Sequence, residues 1–320
     1  TGIMEHVYGP HIFNTKYKKI WNYVNSFGEF SNFTNRIKAN TKKGIFSFPI
    51  NLHTINQFFE KKFSPLEAKK FIEKKRLKIK NPKNFEEQAL SMFGEELYKE
   101  FFYGYTKKQW GVDPKSLPAS VAKRIPMRFN YDDNYNKATY TGIPLSGYTN
   151  IIKKILNHKN IKVRLKSNLK ISMLSKFDHI FYSGEIDKFF KFKHGRLSYR
   201  TVFWKKKYYN GDFQGVTGVN YPDINVKHTR IYEHKHFLPN EKHKWSIIFY
   251  EYSRETLGND EPFYPKRLKE DKVKLEKYIQ EAKKITNMTF IGRLGTYQYL
   301  DMDDVIYKSI KLAKKFNLNK

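Results

Sequence analysis

Two short stretches hold side chains of the kind that handle charged, ring-bearing ligands. The segment FFYGYTKKQW, Phe101 to Trp110, sets five aromatic rings and two lysines within ten positions. Ring faces stack on bases, and cations beside them attract phosphate. The same rings are large apolar units that fill cores, so spacing leaves both readings open. Near the C-terminus, FIGRLGTYQYLDMDDVIYKSI runs from an apolar strand through a Gly-Arg loop into a helix whose first turn carries Asp301, Asp303 and Asp304. A helix start presents unpaired N–H groups and partial positive charge, which can hold an acceptor-rich cofactor edge while Arg293 grips a phosphate. The aspartates serve equally as dipole-matched caps contributing about 0.3–1 kcal/mol, and spacing by itself favours the caps.

Other constellations are weaker. His234 and His236 in EHKHF fall two apart on an expected strand and so share a face, but no third ligand is evident nearby, and no metal site is expected. Asp132 and Asp133 in NYDDNY are adjacent and point apart on extended backbone, which argues against a paired acid–base site. The chain contains no G-x-S-x-G, P-loop or G-x-G-x-x-G pattern.

The elements that must position these residues follow from composition and periodicity. At 320 residues, 39% hydrophobic and 17% aromatic, the chain is long and apolar enough for two or three packed units. No apolar run approaches membrane-spanning length, and the absence of cysteine excludes disulfides and thiolate chemistry, consistent with a cytoplasmic setting. The net charge of +30 invites a nucleic-acid reading, yet the lysines are scattered along the whole chain rather than gathered in an arm, so no nucleic acid and no membrane partner is expected. Lys107 and Lys108 are read as solvated, and Tyr103 as the core ring of its segment.

Helical spacing covers residues 16–28 and, with interruptions, 54–124, where SPLEAKKFIEKKR opens on a Ser cap and Pro at the first helical position. GIMEHVYG (2–9), 44–50, RFNYDDNY (128–135), 139–144, IKVRLK (161–166) and 178–184 read as strands. From 197 to about 252, period-two Thr, Tyr, Phe and Val broken by turn signals predict antiparallel sheet. A helix, a strand and the closing helix complete an α+β chain.

Ten segments occur in a fixed order: YGPHIFNT, FPINLHT, FEEQAL, GYTKKQWG, LPAS with AKRIPMRFNYDDNY, GIPLSGYT, FQG with VNY, TRIYEHKHF, EPFYP and GRLGTYQYLDMD. Together they resemble UDP-galactopyranose mutases of the bacterial type, from Gly2 to about Leu312. The resemblance implies interconversion of UDP-galactopyranose and UDP-galactofuranose for cell-surface glycans, by attack of the reduced FAD N5 on the anomeric carbon, in a cytoplasmic homodimer. It also implies an α+β / α/β architecture of three parts. These are an incomplete FAD-binding Rossmann-like domain (1–20, 145–187 and 285–320), an inserted helical domain (52–128) and an antiparallel β-sheet domain (30–51, 129–144 and 188–284).

Matched residue by residue, Arg124 and Arg230 correspond to the family's diphosphate clamp, and Tyr135, Tyr264 and Tyr299 to its phosphate-reaching tyrosines. Phe101, Phe102, Tyr105, Thr106 and Trp110 match the uridine pocket, with Tyr105 stacking on uracil; Asn35 and Asn220 match polar substrate contacts. His11 and Ile12 match the flavin-facing turn, Arg293 the flavin diphosphate, Asp301 a nearby polar position, and Met302, Asp303, Asp304 and Val305 the helix start under the ring. Asn14 stands where the family usually has a second His. The family's opening strand, G-x-G-x-x-G turn and helix have no match, so the expectation is a fragment of a longer product that binds FAD poorly alone. The alternative is a short, inactive nucleotide-sugar-binding remnant.

Overall fold

The computed structural model describes residues 1–318. Strands β1 (Phe13–Thr15), β2 (Phe30–Asn32), β3 (Ile37–Thr41) and β4 (Gly44–Phe48) precede a run of helices, and β5 (Tyr140–Pro144) and β6 (Ile180–Tyr182) follow it. The second half adds β7 (Tyr199–Asn210), β8 (Gly218–Asn220), β9 (Arg230–Glu233), β10 (Trp245–Glu255), β11 (Tyr264–Pro265) and β12 (Met288–Phe290). Seven of these strands form one sheet in the order β11-β7-β10-β9-β8-β3-β4, beside a three-stranded sheet β1-β5-β2 and a pair β12-β6. In the large sheet β3 and β8 run parallel and the other neighbours antiparallel. The α+β class read from the sequence is the class observed.

The helical run grows out of β4. Phe46 and Phe48 enter one core with Ile55, Phe58, Phe85, Phe93, Phe101 and Phe102. Local chemistry sets its starts and stops. Asn51 caps Leu52–Phe59 by accepting from the Thr54 amide, and Ser64 forms a capping box with Glu67 ahead of Pro65–Lys75. A π-helical segment, Tyr98–Tyr103, leads into Gly104–Trp110. Gly111 ends that helix at φ +65°, where a Cβ would lie 2.2 Å from the Arg200 guanidinium.

Three expected strands are absent. Residues 2–9 form a turn-containing coil: Gly2 and Gly9 take positive φ, and Ile3 buries its side chain in the second core without a pairing partner. In 161–166, Ile161, Val163 and Leu165 alternate correctly but are all exposed, with no neighbouring strand among the described residues. Residues 128–135 bend repeatedly because Asn130, Asp132 and Asn134 each accept from a backbone amide two residues on.

EHKHF also departs from its expected strand. His234–Phe237 is a single 3-10 turn, which sends His234 into the core and His236 to Glu233 and Asp212. Asp212, Glu233 and His236 bring ligand atoms within 4.8 Å of one another, so Glu233 of the same segment and Asp212 from elsewhere join His236, while His234 takes no part. Lys235 lies 3.0 Å from Asp212 and supplies positive charge there. Burial alone would push the Glu233 carboxyl up; His236 and the Phe213 and Gln214 amides outweigh it and bring it down to about 2.

His6 and His234 make an acid-sensitive pair. The His6 amide donates to His234 Nδ1 and the His11 amide to His6 Nδ1, each at 3.2 Å, so protonating either Nδ1 breaks a bond. Burial, with His11 adding repulsion, lowers His6 to about 4; burial, with His6 adding repulsion, lowers His234 to about 3. Both folded values lie below the unfolded 6.5. Their contribution is therefore complete above pH 6.5 and is lost as pH falls toward 4 and below, by up to about 1.4 kcal/mol per pH unit for each ring. Urea unfolding at pH 7, 6 and 5 should show this slope, and His234→Asn, which keeps an acceptor, should reduce it by about half. An unchanged slope in that variant would remove His234 from the account.

Candidate active site

A cavity of about 600 Å³ lies where the helix Gly104–Trp110 meets the edge of the large sheet and the turn before Met302–Leu318. Its size suits a nucleotide-sized ligand. The spacing Phe101, Phe102, Tyr105, Thr106, Gln109, Trp110 places these side chains on one broad helical face, and all six line the cavity. Phe101 and Phe102 are 2% exposed, belonging to the core and to the wall at once, whereas Tyr103 is half-buried. Tyr103, read from the sequence as the core ring of this segment, is thus its edge ring, with the Lys107 ammonium 5.7 Å from its centroid.

The remaining wall comes from distant parts of the chain. Asn220 ends β8, Arg230 opens β9 and Tyr264 opens β11. Tyr135, Arg124, Tyr299 and Asp301 come from loops and turns and line the same cavity. Asn220, Arg230 and Tyr135 also line a smaller cavity of about 170 Å³, which Asn35 and Ile12 share.

Arg230 sits in a prepared cage. Its Nε donates to Tyr105 Oη at 2.5 Å, its Nη1 donates to Tyr232 Oη at 2.6 Å, and Glu251 lies 3.7 Å from Nε. Burial opposes its charge, but Tyr105, Tyr232 and Glu251 outweigh burial and raise its pKa well above the ordinary value. Arg124 is held differently: Nη2 donates to both Asp301 oxygens at 2.5 and 2.7 Å, and the guanidinium lies 4.2 Å from the Tyr299 centroid. Burial opposes this charge too, and Tyr299 and Asp301 raise its pKa. Burial pushes the hydroxyls of Tyr105, Tyr135 and Tyr264 upward, so all three remain neutral donors at working pH.

The cavity wall carries Arg124, Lys137, Arg230, Lys266 and Arg267 against one acid, Asp301. Three buried amide atoms on the wall have no partner among the described residues, Gln109 Oε1, Asn220 Oδ1 and Asn136 Nδ2. An anion with polar substituents answers both features.

Residues that the resemblance assigns to a flavin gather at one corner. Asn14 and Asp301 line the larger cavity, Ile12 the smaller, and Met302 packs on the Phe13, Ile20 and Val24 cluster. Asp303 is raised by burial, with a hydrogen bond to Thr15 pulling the other way, and Asp304 donates its amide to Asp303 at 2.9 Å. Val305 donates to the Asp301 carbonyl, closing the first helical turn. His11 Nδ1 lies 2.7 Å from the Gly9 carbonyl, and Tyr148 Oη donates to the His11 carbonyl. This apolar and acidic corner, with a helix start, fits the ring end of a flavin. Arg293 lines neither cavity: its donors reach the Phe263 and Leu300 carbonyls, and its guanidinium lies 4.8 Å from Tyr299.

Sequence reasoning passed over Gln109 and misread Lys108. Gln109 stands four residues after Tyr105 on the cavity face, so helical spacing alone finds it. Lys108, read as solvated, is instead half-buried, its ammonium enclosed by backbone carbonyls. Burial lowers its ammonium to about 8, with Asp223 pulling upward, so it stays charged at neutral pH.

Fold and cavity together define a binder of a flat, anionic ligand of nucleotide size. The family model for UDP-galactopyranose mutase matches residues 100–299. A probable UDP-galactopyranose mutase of Klebsiella pneumoniae is 50% identical, over 99% of this chain and 83% of its own length. The dTDP-fucopyranose mutase of Escherichia coli is 48% identical, over 100% of this chain and 87% of its own length. A crystal structure of reduced UDP-galactopyranose mutase superposes with a TM-score of 0.70 at 14% identity, covering 93% of this chain and 80% of that one, and shares its fold. The chain belongs to the UDP-galactopyranose mutase family, whose members are isomerases. No helix among the described residues is long and apolar enough to cross a membrane.

Proposed function

We propose that the chain interconverts UDP-galactopyranose and UDP-galactofuranose and uses FAD in its reduced form. The observation that carries this reading is the convergence of Arg124, Arg230, Tyr135, Tyr264 and Tyr299 on one cavity that Tyr105, Thr106 and Trp110 also line. Arg230 and Arg124 hold the diphosphate and offset the charge that grows on it as the anomeric bond breaks. The tyrosine hydroxyls donate to the same oxygens. Tyr105 and Trp110 offer ring faces to uracil, while Asn220 and Asn35 orient the sugar.

Bound at its corner, reduced FAD supplies the nucleophile for the anomeric carbon. His11, Ile12, Met302, Asp303, Asp304 and Val305 would hold its ring. Closure of the 110–130 segment carries Arg124 onto the diphosphate and excludes water. A homodimer in the cytoplasm belongs to the same reading, and light scattering at micromolar protein checks the dimer.

The test is turnover of UDP-galactofuranose by the complete reading frame with dithionite-reduced FAD, run beside dTDP-fucofuranose. Faster conversion of the UDP sugar supports the reading. Preference for the dTDP sugar would reassign the substrate, and tight UDP binding without turnover would favour an inactive remnant.

A further inference from the structure

The Lys108 ammonium lies at the centre of a carbonyl cage. It donates to the carbonyl oxygens of Tyr221 at 2.6 Å, Asp223 at 2.8 Å, Val226 at 2.8 Å and His228 at 2.9 Å. An ammonium has three protons and these are four acceptors, so its charge balances a ring of converging carbonyl dipoles much as a bound metal cation would. All four oxygens belong to residues 221–228, the connection between β8 and β9. Within that connection the backbone holds itself sparsely: the Val226 amide donates to the Asp223 carbonyl, and Tyr221 reaches across to Thr229. The Asn225 amide also donates to Asp223 Oδ1, and the ammonium is the group on which all four carbonyls converge. The helix backbone meets the same loop at Gly104, where a Cβ would lie 2.3 Å from the Pro222 carbonyl oxygen.

The two ends of this loop are Asn220 and Arg230, both on the cavity wall. Arg230 is joined back to the helix through Tyr105, three residues before Lys108, at 2.5 Å. Helix, Tyr105, Arg230, loop and Lys108 thus close a ring of contacts, in which Lys108, like the 221–228 loop it holds, lines neither cavity. We infer that Lys108 is a positioning residue, which fixes the 221–228 loop on the aromatic helix and thereby sets Arg230 and Asn220 against Tyr105 for a ligand diphosphate. Lys107, one residue away and exposed, lacks these bonds and serves as the internal control.

The inference rests on the mutase reading for its kinetic arm and on no such reading for its structural arm. In the full-length, FAD-loaded protein, Lys108→Met should lower kcat/KM for UDP-galactofuranose about 10- to 100-fold, while Lys107→Met stays within about threefold. Because Lys108 acts through Arg230, its loss and that of Arg230→Lys should fail to multiply in the double variant. Hydrogen exchange should show amides of 221–228 losing protection in Lys108→Met alone. Lys108→Gln, which keeps a donor, should recover part of both losses and carries the comparison if the Met variant is not recovered folded. Effects that multiply with Arg230→Lys, equal effects at Lys107, or unchanged exchange in 221–228 would overturn the inference. Absence of mutase turnover in the unsubstituted protein would instead strike the functional reading and leave the exchange arm standing.

Discussion

Arg230→Ala should reduce kcat/KM for the nucleotide sugar by at least about 10²–10³-fold, the loss seen when one well-placed donor to developing negative charge is removed. The geometry argues for the upper part of that range. Arg230 is fixed before any ligand arrives by Tyr105 and Tyr232, so little reorganisation accompanies binding. The substitution also disturbs the fold. Glu251, 3% exposed, would keep the Thr229 hydroxyl as a donor but lose its nearest cation. Stranding a buried charge in this way costs on the order of 3–5 kcal/mol. Arg230→Lys separates the two effects: it keeps a charge near Glu251 while losing the fork that grips two oxygens at once. The lysine variant should melt near the parent and still turn over at least about tenfold more slowly. A kcat/KM within threefold of the parent in the folded lysine variant would remove Arg230 from the clamp.

The second large effect is at Arg124, and its signature differs. Arg124→Ala should lower kcat/KM by about 10²-fold or more while leaving the melting temperature nearly unchanged. The reason is exposure: Arg124 and Asp301 are 43% and 45% exposed in their side chains, and pairs of that kind contribute about 0–1 kcal/mol. Asp301→Asn is the informative partner. If the carboxylate competes with a diphosphate for Arg124, its removal should lower KM or the Kd for UDP a few-fold, while kcat holds or falls. Weaker UDP binding in Asp301→Asn would show that the carboxylate supports the ligand rather than standing in its place.

How much of this was legible before the fold was known depends on the range of each interaction. The Ser64 box and Pro65 at the helix start are local events, and their spacing announces them. The long alternation of β7 and β10 did so as well, because both strands lie in a sheet that gives every residue a neighbour. Ile161, Val163 and Leu165 show the limit of the same signal, since alternation describes a strand only where a partner exists. The two lysines of FFYGYTKKQW make the point most sharply. They are identical and adjacent in the sequence, yet Lys107 stays exposed and Lys108 is half-buried, held by carbonyls that lie 113 to 120 residues further on. Nothing within the segment distinguishes them. His234 and His236 were misjudged for a related reason: one tight turn replaced the expected strand and sent the rings apart. The cavity residues were placed by resemblance, and no spacing rule would have joined Arg124 to Tyr299 or Arg230 to Tyr105.

The carboxylate seated on Arg124 gives the resting protein a counter-ion of its own. A lone monovalent anion that displaces it trades one single charge for another and gains little. A diphosphate would bring more charge and meet Arg230 in the same cavity, so on the proposed reading it would evict the carboxylate where chloride or acetate would not. In a chain carrying a formal +30, such an internal stopper would, if Arg124 serves as proposed, keep it from idling on whatever small ion is abundant.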